Sequence, residues 1–256
     1  MDPDRTIVLV DGRPVGAEPR TRAPGGVFTT LRTVRGRVLF LADHLERLER
    51  TAAALALPPP QLETLVDEIA AVAGSGDARV RVTLLPEAGR LLRVVEGAPY
   101  SAPDTPWRLV PVRSLVDPAL AALKTTDRRP YETAREQAAG AHDALLCDAT
   151  GRVLECTIAN VFALRGKQLL TPPSRRSLLP GIARRRLLEL APDVGLEPVE
   201  TVLHVSDLVD ADACLVTNAV LLVHPVAEIA GKARCGADER VGRLREALLR
   251  VGFESV

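Results

Sequence analysis

The sequence predicts a mixed α/β protein of two domains, the first of them α+β. Three observations predict it. Short apolar strand patterns are separated by hairpin turns, amphipathic helix patterns lie among them, and one stretch rich in Pro and Gly breaks the pattern in two. The chain has 256 residues, enough for one large domain or two modest ones. Hydrophobic residues make up 46% and charged residues 26%, an ordinary globular mixture, while an aromatic share of 3% leaves Leu, Val and Ala to build the core.

Taken in order, Thr6 to Val10 reads as a strand entering the turn Asp11-Gly12. Val27 to Val34 and Arg37 to Leu41 form a hairpin around Arg35-Gly36. Leu41, Leu45, Leu48, Ala52 and Leu55 recur at helical spacing until Pro58-Pro59-Pro60 stops the run. Leu62, Leu65, Val66, Ile69 and Val72 give a second helix, closed by Gly74-Ser75-Gly76. Ala78 to Leu85 and Arg90 to Val95 alternate apolar with basic residues, as half-buried strands do. Gly97, Pro99, Pro103 and Pro106 then remove all periodicity, which places the domains at 1–96 and 111–256 with a linker at 97–110. Beyond it, Asp143 to Cys147 and Arg152 to Cys156 flank one turn, and Asn160 to Leu164 and Gln168 to Leu170 flank another. Gly181 to Leu190 is helical, Pro198 to Leu203 and Ala213 to Thr217 are strands, and Glu239 to Val251 is a closing amphipathic helix.

Composition excludes several functions. Lys+Arg and Asp+Glu both number 33, so no basic excess points to nucleic acid. No apolar run reaches the roughly 18 residues of a membrane span. The polar start Met1-Asp2-Pro3-Asp4-Arg5 has no signal segment behind it, which leads to the expectation of a cytoplasmic protein. Cys147, Cys156, Cys214 and Cys235 contain no C-x-x-C and read as reduced thiols, not a disulfide framework or zinc site. His44, His142, His204 and His224 are scattered singly and read as capping or surface residues, so no metal is expected. Generic P-loop, dinucleotide and G-x-S-x-G motifs are missing.

Among the 33 basic residues only Lys124, Lys167 and Lys232 are lysines, the one basic type that can act as an amine nucleophile. Lys167 falls in a hairpin turn and Lys232 in a polar loop. Lys124 follows the apolar stretch Ala119 to Leu123, where partial burial would favour its neutral form. Glu155 ends an apolar strand, where a carboxylate needs a partner. By pattern alone, two solvated charges are the plainer reading.

An ordered set of segments changes that balance. Gly25-Gly26-Val27-Phe28-Thr29-Thr30-Leu31-Arg32, His44-Leu45-Glu46-Arg47-Leu48, Leu123-Lys124-Thr125, Glu155 with Asn160-Val161-Phe162, Thr171-Pro172-Pro173, Leu179-Pro180-Gly181-Ile182 and Thr217-Asn218-Ala219 stand in that order from about residue 25 to about 230. Together they resemble the class IV aminotransferase family, the fold-type IV pyridoxal-phosphate enzymes. That family includes branched-chain and D-amino-acid aminotransferases and 4-amino-4-deoxychorismate lyase. The resemblance implies the two-domain fold of the D-amino-acid aminotransferase type, with the catalytic lysine in the larger C-terminal domain. It implies pyridoxal 5'-phosphate as cofactor and Lys124 as the residue that carries it and moves protons. Glu155 would bond its pyridine nitrogen. Arg47, with the backbone N–H groups of Ile182 and Ala183 and the turn Asn218-Ala219, would hold its phosphate.

Within the family the segments look most like the lyase, with Thr29, Thr30 and Arg128 as its candidate substrate contacts. Arg129 stands where the aminotransferases usually carry a tyrosine, and Ala219 replaces their common threonine. Asp127 departs from the lyases' usual asparagine. The implied activity is elimination of pyruvate from 4-amino-4-deoxychorismate to give 4-aminobenzoate, by a homodimer acting on a small amino substrate. An aminotransferase, and an inactive binding or assembly subunit with the same fold, are the alternatives.

Overall fold

Val27 begins the strand on which the first part of the chain is built. The computed structural model describes residues 6–16, 23–175, 178–233 and 238–254. The chain divides into two units: residues 1–102, 123–128 and 252–256 form the first, and residues 103–122 and 129–251 the second.

In the first unit, β1 (Ile7–Val10), β2 (Arg13–Pro14), β3 (Val27–Val34), β4 (Arg37–Val38), β5 (Ala78–Glu87) and β6 (Arg90–Pro99) make a sheet in the order β2-β1-β6-β5-β3-β4. Helices α1 (Leu41–Ala54) and α2 (Leu62–Ala73) supply the apolar stripes read from the sequence. Leu48 and Ala52 of α1, with Leu65, Ile69 and Val72 of α2, bury against Val27, Leu31, Val80, Val82, Leu84 and Val95 of the sheet. Side chains of a strand alternate between faces, so residues 27, 29, 31 and 33 of β3 look toward the helices, and 28, 30 and 32 away from them.

Among the described residues of the second unit, nine strands share one sheet. These are β7 (Trp107–Arg113), β8 (Asp143–Cys147), β9 (Val153–Cys156), β10 (Asn160–Arg165), β11 (Gln168–Thr171), β12 (Glu197–Glu200), β13 (Ala213–Asn218), β14 (Leu222–Ile229) and β15 (Lys232–Ala233). The order is β12-β11-β10-β13-β14-β7-β8-β9, with β15 on β14. Because β9 is last in that order and β10 third, yet three residues join them, the sheet has to roll until the two strands meet. Around it lie α3 (Arg129–Gln137), α4 (Ile182–Leu190), α5 (Val205–Val209) and α6 (Glu239–Glu254), the last ending on residues of the first unit.

The first crossing, between residues 102 and 103, falls inside the expected linker at 97–110, but residues 123–128 and 252–256 return to the first unit. Strand β6 continues to Pro99 and β7 starts at Trp107. Lys124 belongs with the first unit, because its segment hydrogen-bonds to β3: Phe28 N donates to Lys124 O at 2.9 Å and Thr126 N to Gly26 O at 2.9 Å. Two histidines differ from their capping or surface reading, since His44 is fully buried and His224 nearly so, whereas His204 caps α5. Cys147, Cys156 and Cys214 are buried and outside any disulfide among the described residues, and Cys235 lies outside those residues. Among the described residues no helix is long and apolar enough to cross a membrane.

Candidate active site

The sequence places Gly26 just before β3 for a steric reason. A Cβ there would stand 2.5 Å from the Leu84 carbonyl oxygen and 3.2 Å from Thr126. Without it, the 124–126 segment pairs with the start of β3, and Thr126 Oγ1 accepts from Gly26 N at 3.0 Å. The Lys124 ammonium is thereby set 5.1 Å from the centroid of the Phe28 ring. The Arg81 guanidinium lies 3.8 Å and that of Arg128 5.9 Å from the same ring, all within cation–π range. Thr30 is half-buried on the Phe28 face of β3, opposite Arg81 in register. Arg81 also meets Glu96 at 4.0 Å. Sequence reasoning passed over Arg81; the available signal was a basic residue inside the alternating pattern of β5.

Thr29 points the other way, toward α1. Its hydroxyl accepts a hydrogen bond from Arg47 Nη2 and lies 2.6 Å from His44 Nδ1. A hydroxyl that accepts from Arg47 has its proton left for the imidazole, so Nδ1 is the acceptor and Nε2 carries the hydrogen. Arg47 Nη2 approaches that same Nδ1 at 3.3 Å. Burial, then the charges of Arg47 and Lys124, hold His44 well below the ordinary imidazole range, so it is neutral. Arg47 is lowered to about 10, first by burial and then by Arg50, against the opposing pull of Asp43. Its Nε and the His44 Nε2 find no hydrogen-bond partner among the described residues. A buried guanidinium with an open donor is a place for an anion, since an uncompensated buried charge is costly. Thr29, expected to meet substrate, instead spends its hydroxyl inside this network.

In the second unit the rolled sheet gathers another set. Glu155, near the end of β9, is buried. Its Oε2 accepts from Asn160 Nδ2 at 3.2 Å and its Oε1 from Leu179 N at 3.3 Å. Ile182 and Ala183 open α4, whose start no side chain caps, and dipole and free N–H groups there suit an anion. The turn between β9 and β10 is pinned by Asp143, which accepts from the Thr157 hydroxyl and from Ile158 N at 3.3 Å. Burial raises the Asp143 carboxyl despite these bonds. Asn218, at the end of β13, ties this turn to its own. Its Nδ2 donates to Ile158 O at 3.0 Å, and its Oδ1 accepts from Val220 N and Leu221 N at 2.9 and 2.7 Å. The Asn218 side chain is thus used in shaping the turn, and Ala219 follows it half-buried. Burial also pushes the Cys156 thiol well above its ordinary range, which leaves it unreactive.

The structure therefore groups Lys124, Arg47, Thr29, Thr30 and Arg128 in one unit, and Glu155, Ile182, Ala183, Asn218 and Ala219 in the other. This fold is that of the fold-type IV enzymes: a fold IV transaminase from Curtobacterium pusillum matches 96% of this chain and 99% of its own with a TM-score of 0.84 at 20% identity. The chain belongs to the class IV aminotransferase family, whose profile, amino-transferase class IV, matches residues 26–229. A probable branched-chain-amino-acid aminotransferase of Thermotoga maritima is 30% identical over 213 residues, covering 79% of this chain and 76% of the relative. The aminodeoxychorismate lyase of Vibrio harveyi is 24% identical over 243 residues, covering 87% and 89%.

Proposed function

We propose that this chain is a pyridoxal-phosphate-dependent lyase that removes pyruvate from 4-amino-4-deoxychorismate and leaves 4-aminobenzoate. The observation that carries the reading is the Phe28 ring with Arg81, Lys124 and Arg128 around it. The substrate is a cyclic diene bearing two carboxylates, and guanidinium groups bind carboxylates through charge-assisted, often paired hydrogen bonds. A branched-chain amino acid offers one carboxylate and an aliphatic side chain. Arg129 and Ala219, at positions where the aminotransferases usually differ, point the same way.

The residues present fit the cofactor. Arg47 is a buried cation with an open donor for a phosphate oxygen, and Glu155 is a buried carboxylate for a protonated ring nitrogen. In this reading Lys124 would hold the group covalently, Arg47 is the phosphate donor of the first unit, and the N–H groups of Ile182, Ala183 and the 218–219 turn are the phosphate donors of the second. When bound, the group supplies a sink for the electron pair left by a broken C–H bond. Lys124, once released, would be the base that takes the proton from the ring carbon bearing the substrate's amine. The neighbouring C–O bond breaks, the ring becomes aromatic, and the enolpyruvate takes up a proton to leave as pyruvate. No oxidant or reductant is consumed. Thr30, on the Phe28 face, is the hydroxyl assigned to the departing oxygen, and Arg81 and Arg128 orient the carboxylates.

A second reading, amino-acid:2-oxo-acid aminotransferase with the same lysine and glutamate, is favoured by the relatives of 30% identity or more that carry that name. Incubation of the purified protein with aminodeoxychorismate, and separately with amino acids plus 2-oxoglutarate, distinguishes them. The lyase yields 4-aminobenzoate and pyruvate; glutamate without 4-aminobenzoate overturns the assignment. A protein that stays colourless with added cofactor, and from which borohydride fixes nothing on Lys124, is a binding subunit instead. The functional form is proposed as a homodimer, which sedimentation velocity tests.

A further inference from the structure

We infer that Asn160 is a positioning residue that holds two anchors of the cofactor, Glu155 and the start of α4, at one fixed separation. The inference rests on the reading that Glu155 takes the ring nitrogen and α4 the phosphate. Asn160 is nearly fully buried at the head of β10. Its Nδ2 donates to Glu155 Oε2 at 3.2 Å and to Leu179 O at 2.9 Å, one amide group serving a carboxylate and the chain that leads into the helix. Its other end is seated as closely. A Cβ on Gly181, the residue capping α4, would lie 2.2 Å from Asn160 Oδ1. Gly181 has an extended backbone that any residue can adopt, with φ −63° and ψ 141°, so contact with Asn160 and not backbone freedom explains the glycine there. Leu179 N, in turn, donates to Glu155 Oε1 at 3.3 Å, closing a ring of three contacts among Glu155, Asn160 and residues 179–181.

The chemistry of an amide suits this task and that of its nearest isosteres does not. Asparagine offers donors to a carboxylate and a carbonyl while presenting an uncharged oxygen to the Gly181 backbone. An aspartate of the same shape would fill the space but bring a second negative charge against Glu155 and donate to neither acceptor. Alanine would leave Glu155 and Leu179 O each short of a donor.

The test uses the full-length protein with pyridoxal phosphate as probe, and reads its dissociation constant, the pH dependence of its bound absorption band, kcat against KM, and the melting temperature of the cofactor-free protein. Asn160→Ala and Asn160→Asp are each expected to weaken cofactor binding by about tenfold or more. Both should lower kcat while KM for the amino substrate changes little, and both should alter the pH dependence of the band. Gly181→Ala should weaken binding in the native background and much less in the Asn160→Ala background, where the colliding oxygen is gone. Asparagine acting merely as filler predicts that Asn160→Asp binds cofactor normally, and that result overturns the inference. So does a Gly181→Ala penalty that is the same in both backgrounds. If Asn160→Ala fails to fold, Asn160→Asp and Gly181→Ala still decide. Glu155→Gln separates the two levels: if it leaves the bound spectrum unchanged, the functional reading fails, whereas a damaged Glu155→Gln beside a normal Asn160→Asp sinks only the positioning role.

Discussion

His44 gives the protein a pH signature. Its folded pKa is held well below its unfolded value of 6.5 by burial and by the charges of Arg47 and Lys124. Above 6.5 neither state is protonated, and the group adds no pH dependence. As pH falls through 6.5 the unfolded chain takes up a proton that the folded chain refuses, so stability drops by about 1.4 kcal/mol per pH unit until the folded pKa is reached. Urea titrations of His44→Asn should therefore show a flatter pH dependence below 6.5 than those of the native protein; equal slopes would assign the acid sensitivity elsewhere. At the neighbouring Arg47, replacement with Gln should weaken capture of pyridoxal phosphate by about tenfold or more, followed by absorbance titration. The cofactor-free protein should melt no lower, because burying a guanidinium whose Nε has no hydrogen-bond partner costs stability. Glu155 was legible as a carboxylate ending an apolar strand, and Arg47 only through its place in the ordered motif. His44 was not, because one histidine has no spacing to reveal it, and Thr29 misled because its face depends on which side of β3 the helices cover.

At the scale of elements, the Gly26 contact makes a direct prediction. Gly26→Ala places a Cβ 2.5 Å from a backbone oxygen of β5, so either the strand or the 124–126 segment has to shift. A loss of about 1–3 kcal/mol of stability is expected by urea unfolding, with slower borohydride fixation of cofactor on Lys124. An unchanged midpoint would mean the segment is pliant. Asn218→Ala removes one hydrogen bond that joins two turns and two that shape its own, and should cost about 1–3 kcal/mol as well. Periodicity found β3, α1, α2, β8, β10 and α4 almost to the residue, since each has one clear apolar face or a continuous buried run. It missed β7 and β14, and both contain a proline. Pro225 sits inside β14 opposite Leu215, and the ladder with β7 shifts register just after it, between Val226 and Glu228. Proline lacks the donor a central strand uses, so a sequence reading discounts such a strand while the fold absorbs it with a bulge.

On the scale of the whole molecule, the expected linker holds the first crossing and not the later ones, because composition describes a stretch of chain and a unit need not be one stretch. The path passes from one unit to the other four times. Lys124 was assigned from sequence to the C-terminal part by its position in the chain, and it is placed with the N-terminal part by backbone hydrogen bonds that only folding reveals. The last of these crossings also matters for α1. Phe40 precedes that helix with a left-handed φ of 54°, and its N–H donates to Gly252 O at 3.3 Å. A chain ended after Val251 should lose amide protection at Phe40 in hydrogen exchange and melt lower than the full-length protein; unchanged protection would make that contact dispensable.

That contact sets an order of events during synthesis. A ribosome completes α1 and β3 early, yet the partner of Phe40 is made more than two hundred residues later. The first unit therefore cannot finish folding while the second is still being translated. Neither unit corresponds to one uninterrupted stretch of chain, so no single cut separates the one from the other.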